Sequence, residues 1–360
     1  MFQYLSALGP TKEEADMFKI KSLAVAMLMG AVPLAGAIEW QALPETAPAP
    51  SDNPVTPAKV KLGQMLFFDP RLSSTGTVSC NSCHNVMAGG EDNRPVAAGV
   101  HGKTGDRSAP TVWNAAFHAT QFWDGRAASL EDQARGPVTN PIEMGMQSWD
   151  EVVARLEQIP EYPKLFEEAF GPGAKISEDN AVKAIASYER TLITPNSPYD
   201  RYVKGDQSAL TAQQVRGMQT FAAVGCDTCH SGPAFSGQTG QGVGVFRKFP
   251  MFDNAFLEKK YNFKQDLGRY KVTKKEEDKH FFKVPTLRNI ALTAPYFHNG
   301  AVKTLDEAVR VMAKLQLNRD LNEQEVADIV AFLQALTGEF PKQELPRLPA
   351  TPGKTFDYVQ

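Results

Sequence analysis

The chain has 360 residues, with 38 Lys and Arg against 41 Asp and Glu and a formal net charge of −3. That balance excludes the basic footprint of a nucleic-acid-binding protein. All four cysteines fall in two pentapeptides, Cys80 to His84 and Cys226 to His230.

In chain order, residues 1–37 read as a signal peptide with an upstream extension. Lys19 and Lys21 form a basic region, Ser22 to Val32 an apolar one, and Ala35 to Ala37 a small-residue cleavage site. The apolar run is shorter than the ~20 residues of a spanning helix. Cleavage after Ala37 and export to the periplasm are expected, with no membrane span in the mature protein. About 320 residues then remain, a length that suggests two domains.

Residues 38–55 are Pro-rich and read as an exposed leader. A helix follows, with Thr56 as cap, Pro57 in the first turn and Val60, Leu62, Leu66 and Phe67 apolar. Near Pro195 a Pro-containing loop separates a first half, 56–195, from a second, 196–340. A helix capped by Thr211 precedes the second cysteine pair and carries Val215, Met218 and Phe221 on one face. The segment 322–338 reads as an amphipathic closing helix. Asn322 and Glu325 form its capping box, Val326, Ile329, Val330, Leu333 and Leu336 its apolar face, and Gly338 its stop. Residues 341–360 form a tail. No run of alternating strands is visible, so the fold class is mainly α.

The pentapeptides "CNSCH" and "CDTCH" place two thiols two residues apart and a histidine directly after them, the pattern of covalent haem c attachment. Cys80, Cys83, Cys226 and Cys229 would form thioethers, and His84 and His230 would each take one face of an iron. Two strained disulfides would not require a histidine after each pair. A four-cysteine zinc site would leave both histidines unexplained. A thioredoxin-like motif would want a βαβ context.

Function depends on the opposite faces. In the second half Met312, followed by the closing helix, is the best candidate among 11 methionines. A core methionine reads equally from the pattern. In the first half His101 lies among Gly99, Gly102 and Gly105, on a flexible loop from which a ligand could be withdrawn. An exposed histidine without a role fits the same pattern. His118 and His280 read as surface or structural residues. The mixed-charge run 271–280 reads as a solvated loop.

The blocks "LGQMLFFDPRLS", "SCNSCH", "SAPTVWNAAF", "QFWDGRAASLEDQARGPVTNPIEMG", "GCDTCHSGPAFS" and "FKVPTLRNIALTAPYFHNGAVKTLDEAVRVM" together resemble the bacterial dihaem cytochrome c peroxidases, from about Pro57 to Gly338. The resemblance implies two class I cytochrome c-like domains, each with one covalently bound haem c. Domain 56–195 would be peroxidatic, with His84 proximal and His101 a removable distal ligand. Domain 196–340 would transfer electrons through a haem held by His230 and Met312. Gly63 with Phe67 and Gly217 with Phe221 resemble pairs that let helices cross closely in class I cytochromes c.

The resemblance further implies that Trp123 lies between the haems and that Gln133 and Glu143 form the distal pair. Residues alone would not prefer these two over Glu131 or Glu151. It implies a calcium ion at Ser108, Thr293 and Pro295, with Ser108 standing where the family often has asparagine. His298 would contact the second haem or its propionates. A small cytochrome c or a cupredoxin would be the donor, hydrogen peroxide the substrate and a homodimer the assembly.

The chemistry suits these roles. A carboxylate beside apolar residues, as Glu143 is beside Ile142 and Met144, has its pKa raised toward the working pH and can move the peroxide proton. Gln133 could orient the bound oxygens, and Trp123 could mediate between the two sources of electrons. Reduction at the second haem would move the His101 loop and free the first iron. Two other readings compete. One is a dihaem electron carrier without peroxide chemistry. The other is a dihaem oxidase that modifies a partner protein, whose relative carries tyrosine at the position of Met312.

Overall fold

The computed structural model describes residues 40–237 and 245–351, together with 353, 356 and 358. The expected signal segment 1–37 lies outside the described residues. The helices are α1 (Pro57–Phe68), α2 (Leu130–Thr139), α3 (Trp149–Glu157), α4 (Glu161–Phe170), α5 (Glu178–Glu189), α6 (Pro198–Val203), α7 (Ala212–Val224), α8 (Ala255–Tyr261), α9 (Leu305–Leu317) and α10 (Glu323–Gln334). One short antiparallel pair joins β1 (Phe246–Lys248) to β2 (Phe281–Lys283). The mainly helical expectation holds. No described helix is long and apolar enough to cross a membrane.

Helix starts follow their capping residues. Thr56 accepts from the Lys59 N–H, and Pro57 occupies the first turn, where no amide is needed. Thr211 with Gln214 and Asn322 with Glu325 close capping boxes on α7 and α10.

Two helix crossings organise the chain. α1 packs on α5 with Gly63 against Ala184, where any Cβ would overlap the Ala184 carbonyl. α7 packs on α10 with Gly217 against Asp328 in the same way. Glycine is required at both points because the backbones touch. Phe67 and Phe221, four residues on from each glycine, are buried in their cores.

Residues 40–360 make one compact unit. Within it, one apolar cluster draws on 62–192 and others on 199–336. Arg107 links the two regions, bonding Asp124 at 2.5 Å and Asp266 at 2.5 Å. Burial alone would raise the Asp266 carboxyl, but the Arg107 hydrogen bonds and charge outweigh it and hold the group well below the usual range.

Two expectations are corrected. The Pro-rich leader is not simply exposed. Pro44 to Pro50 mostly are, but Leu43 and Asn53 are buried. The Leu43 N–H donates to Asp200, and the Asn53 side chain donates to Glu131 and the Lys183 carbonyl. α10 ends at Gln334 rather than at Gly338. Gly338 instead passes against the Thr194 carbonyl. The tail packs on the first half: Arg71 donates to the Pro349 carbonyl, and Phe356 enters the first cluster.

Candidate active site

Cys80–Cys83 form one helical turn after the loop that follows α1, and Cys226–Thr228 form one turn just after α7, with Cys229 next in the chain. Each histidine then turns Nδ1 onto a backbone carbonyl. His84 Nδ1 is 3.0 Å from the Pro110 oxygen, and His230 Nδ1 is 3.1 Å from the Phe235 oxygen. Donation from Nδ1 fixes the tautomer and leaves Nε2 as the basic nitrogen for a ligand. Burial keeps both rings neutral, lowering His84 and taking His230 to about 4. It also pushes Cys80 up to about 12, Cys83 to about 11 and Cys226 to about 12. No cysteine is in a disulfide. Among the described residues no cluster of three or more His, Cys, Asp or Glu side chains is placed to hold a metal ion, as a four-cysteine zinc site would require.

The motifs line two cavities. The first, about 290 Å³, is bordered by Cys80, Cys83, His84, Gln133 and Glu143. The second, about 230 Å³, is bordered by Cys226, Cys229, His230 and Met312. The stretch 108–111 and Trp123 border both. Trp123 is fixed from two sides. Its Nε1–H donates to the Ser108 carbonyl at 2.9 Å, and its own carbonyl accepts from the Lys283 N–H at 2.7 Å.

The structure thus brings together Gln133, Glu143 and the first motif, and Met312 and the second. Burial raises the Glu143 carboxyl above its ordinary value, against the pull of Arg126. Arg126 also lines the first cavity, its guanidinium 3.4 Å over the Phe122 ring. Ser108, Thr293 and Pro295 all border the second cavity.

His101 is not brought in. It is exposed, with φ +56°, and does not border the first cavity. Its loop is nevertheless tied to the cavity wall, because the Val100 N–H donates to the Glu143 carbonyl at 2.9 Å. His280 bonds the Asp266 carbonyl, as a structural residue would. His118 is not a surface residue: it borders the second cavity with Nε2 buried and without a partner among the described residues. His298 borders it too, stacked on Phe282 at 4.3 Å.

Several lining groups carried no sequence signal. Glu189 ends α5 at the first cavity. Burial raises its pKa to about 8, and its Oε2 has no partner among the described residues. Lys283 borders the second cavity.

The chain is thus mainly helical and carries two cavities that share a wall, each bordered by one Cys-x-x-Cys-His motif. Comparison with known proteins then places it. A profile described as "Di-haem cytochrome c peroxidase" matches residues 57–208. The chain is 46% identical over 315 residues to cytochrome c peroxidase Ccp of Escherichia coli K12, covering 84% of this chain and 65% of that protein. It is 45% identical over 314 residues to the cytochrome c551 peroxidase of Pseudomonas aeruginosa, covering 87% and 88%. A solved MauG-like protein associated with microbial copper homeostasis superposes with TM-score 0.73 at 31% identity, covering 84% of this chain and 96% of that one. The chain belongs to the di-haem cytochrome c peroxidase family, and membership implies two haem c groups.

Proposed function

We propose that the chain is a periplasmic peroxidase, reducing hydrogen peroxide to two waters with two protons and two electrons from a small soluble cytochrome c or cupredoxin. The observation that carries the reading is an asymmetry. Both cavities offer two thiols and a neutral histidine, but only the first adds Glu143 and Gln133, and only the second adds Met312. The residues fit haem c: each histidine turns Nδ1 onto a backbone carbonyl, and each cavity is bordered by the two cysteines and the histidine of its motif. When bound, the two haems would supply the electrons, and His230 with Met312 would hold the second, a ligand pair that favours accepting an electron.

The protein's own groups do the rest. Glu143, its pKa raised by burial toward the working pH, takes the proton from one peroxide oxygen as the carboxylate and returns it to the departing one as the acid. Gln133 orients the oxygens from α2. Trp123 stands between the cavities as the mediator. His101 is the removable ligand, and its loop moves the Glu143 wall with it through the Val100 bond.

Electrons enter near the second cavity. Met251, Phe252 and Phe256 are exposed together, and the Met251 and Phe252 amides bond Leu315 on α9, the helix of Met312. Such a patch suits transient docking of a small redox protein. A calcium ion would be held by Ser108 and the carbonyls of Thr293 and Pro295, which all border the second cavity. The buried Glu91 lies beside it through Asn93, which donates to the Ala294 carbonyl at 3.0 Å.

The test is peroxide turnover with a reduced small cytochrome c, in fully oxidised and half-reduced protein. Turnover only after half-reduction supports both peroxidase and gate. Equal turnover in both keeps the peroxidase and removes the gate. No turnover with calcium and several donors rejects the reading in favour of an electron carrier or a partner-specific oxidase.

A further inference from the structure

Lys283 closes β2 and is only 6% exposed. Its Nζ reaches the Val284 carbonyl at 3.4 Å. Burial alone sets its pKa, down to about 8, because no described carboxylate stands close enough to offset the charge. The ionisable groups that feel it are His118 and His230, which it depresses further. A buried ammonium without an anion is costly, and breaking such a pair is worse than never forming it.

The second cavity collects more groups of this kind. His118 and His298 both border it with Nε2 buried and unpartnered among the described residues. Glu91 also borders the cavity, but its two oxygens already accept from the N–H and Nδ2 of Asn93, at 2.7 and 2.6 Å. The polypeptide therefore brings a cation and two free ring nitrogens to this cavity and leaves them without a free anion.

We propose that Lys283 and His118 form a carboxylate subsite that holds a propionate of the second haem. This rests on the haem reading above. Lys283 donates its own N–H to the Trp123 carbonyl, so the subsite is anchored to the wall shared by the two cavities. Reduction adds negative charge at the iron, and an uncompensated propionate opposes it. Lys283 removes that opposition, and so raises the potential of the second haem relative to the first.

The test uses the holoprotein of Lys283→Met, Lys283→Arg, His118→Phe and His118→Gln. Covalent haem is counted by mass, and both midpoints are read by spectroelectrochemistry. With two haems attached, K283M lowers the second-haem reduction equilibrium by about tenfold or more, ~59 mV for one electron. The first-haem midpoint stays put, and K283R restores the second. An unchanged second midpoint, or an equal shift at both haems, overturns the subsite. If K283M does not accumulate, H118F must lower the second midpoint several-fold and H118Q restore it, and no shift there overturns it equally. Absence of haem on Cys226 and Cys229 in the wild type would instead reject the haem reading itself.

Discussion

The two halves share a frame and differ in what faces the histidine. In each, a helix with a central glycine crosses a later helix at backbone contact, a cysteine pair follows, and a histidine bonds a carbonyl through Nδ1. The first cavity then receives a loop from α2 to Met144, carrying Glu143, with Gln133 on the helix itself. The second receives a whole helix, α9, carrying a thioether. In the proposed reading the first wall leaves room for a substrate and a proton path, and the packed helix closes the second site to all but electron transfer.

The largest effect should come from that wall. Glu143→Gln keeps size and hydrogen bonding but cannot move a proton, so peroxide turnover falls by about 10²–10⁴-fold. The second-haem midpoint stays unchanged by spectroelectrochemistry. The shared frame is tested by Gly63→Ala and Gly217→Ala. Each puts a methyl into a carbonyl oxygen and should cost about 1–3 kcal/mol in denaturant unfolding, with similar values in the two halves. A free substitution at either point would break the symmetry argument. The smallest effect concerns pH. Arg126 pulls down a Glu143 pKa that burial has raised. Arg126→Gln removes that pull, so the pKa rises further. Turnover that needs the carboxylate is then lost at higher pH, and the acid limb of the pH–rate profile moves upward.

Much of this was legible because it is local. Capping residues, the CxxCH spacing and the glycine–phenylalanine pairs each act within a few positions, and the structure keeps them. Met312 was found by order along the chain, and its helix brings it to the expected cavity. What escaped was long-range. The tail and the leader are Pro-rich and have no period, so nothing in them announced that Arg71 would hold Pro349 or that Asn53 would be buried. Lys283 carried no signal and His118 read only as surface or structural, because their cavity is made by elements far apart in sequence. His101 could be placed on a loop by its glycines, but a loop's position is not written in its flexibility.

The most direct test of the division of labour is to mix half-reduced protein with one equivalent of hydrogen peroxide and follow both haem bands. The account predicts that the first haem responds to peroxide and the second gives up its electron in the same event. Peroxide binding at the Met312 haem, or consumption of peroxide with the first haem unchanged, would contradict it.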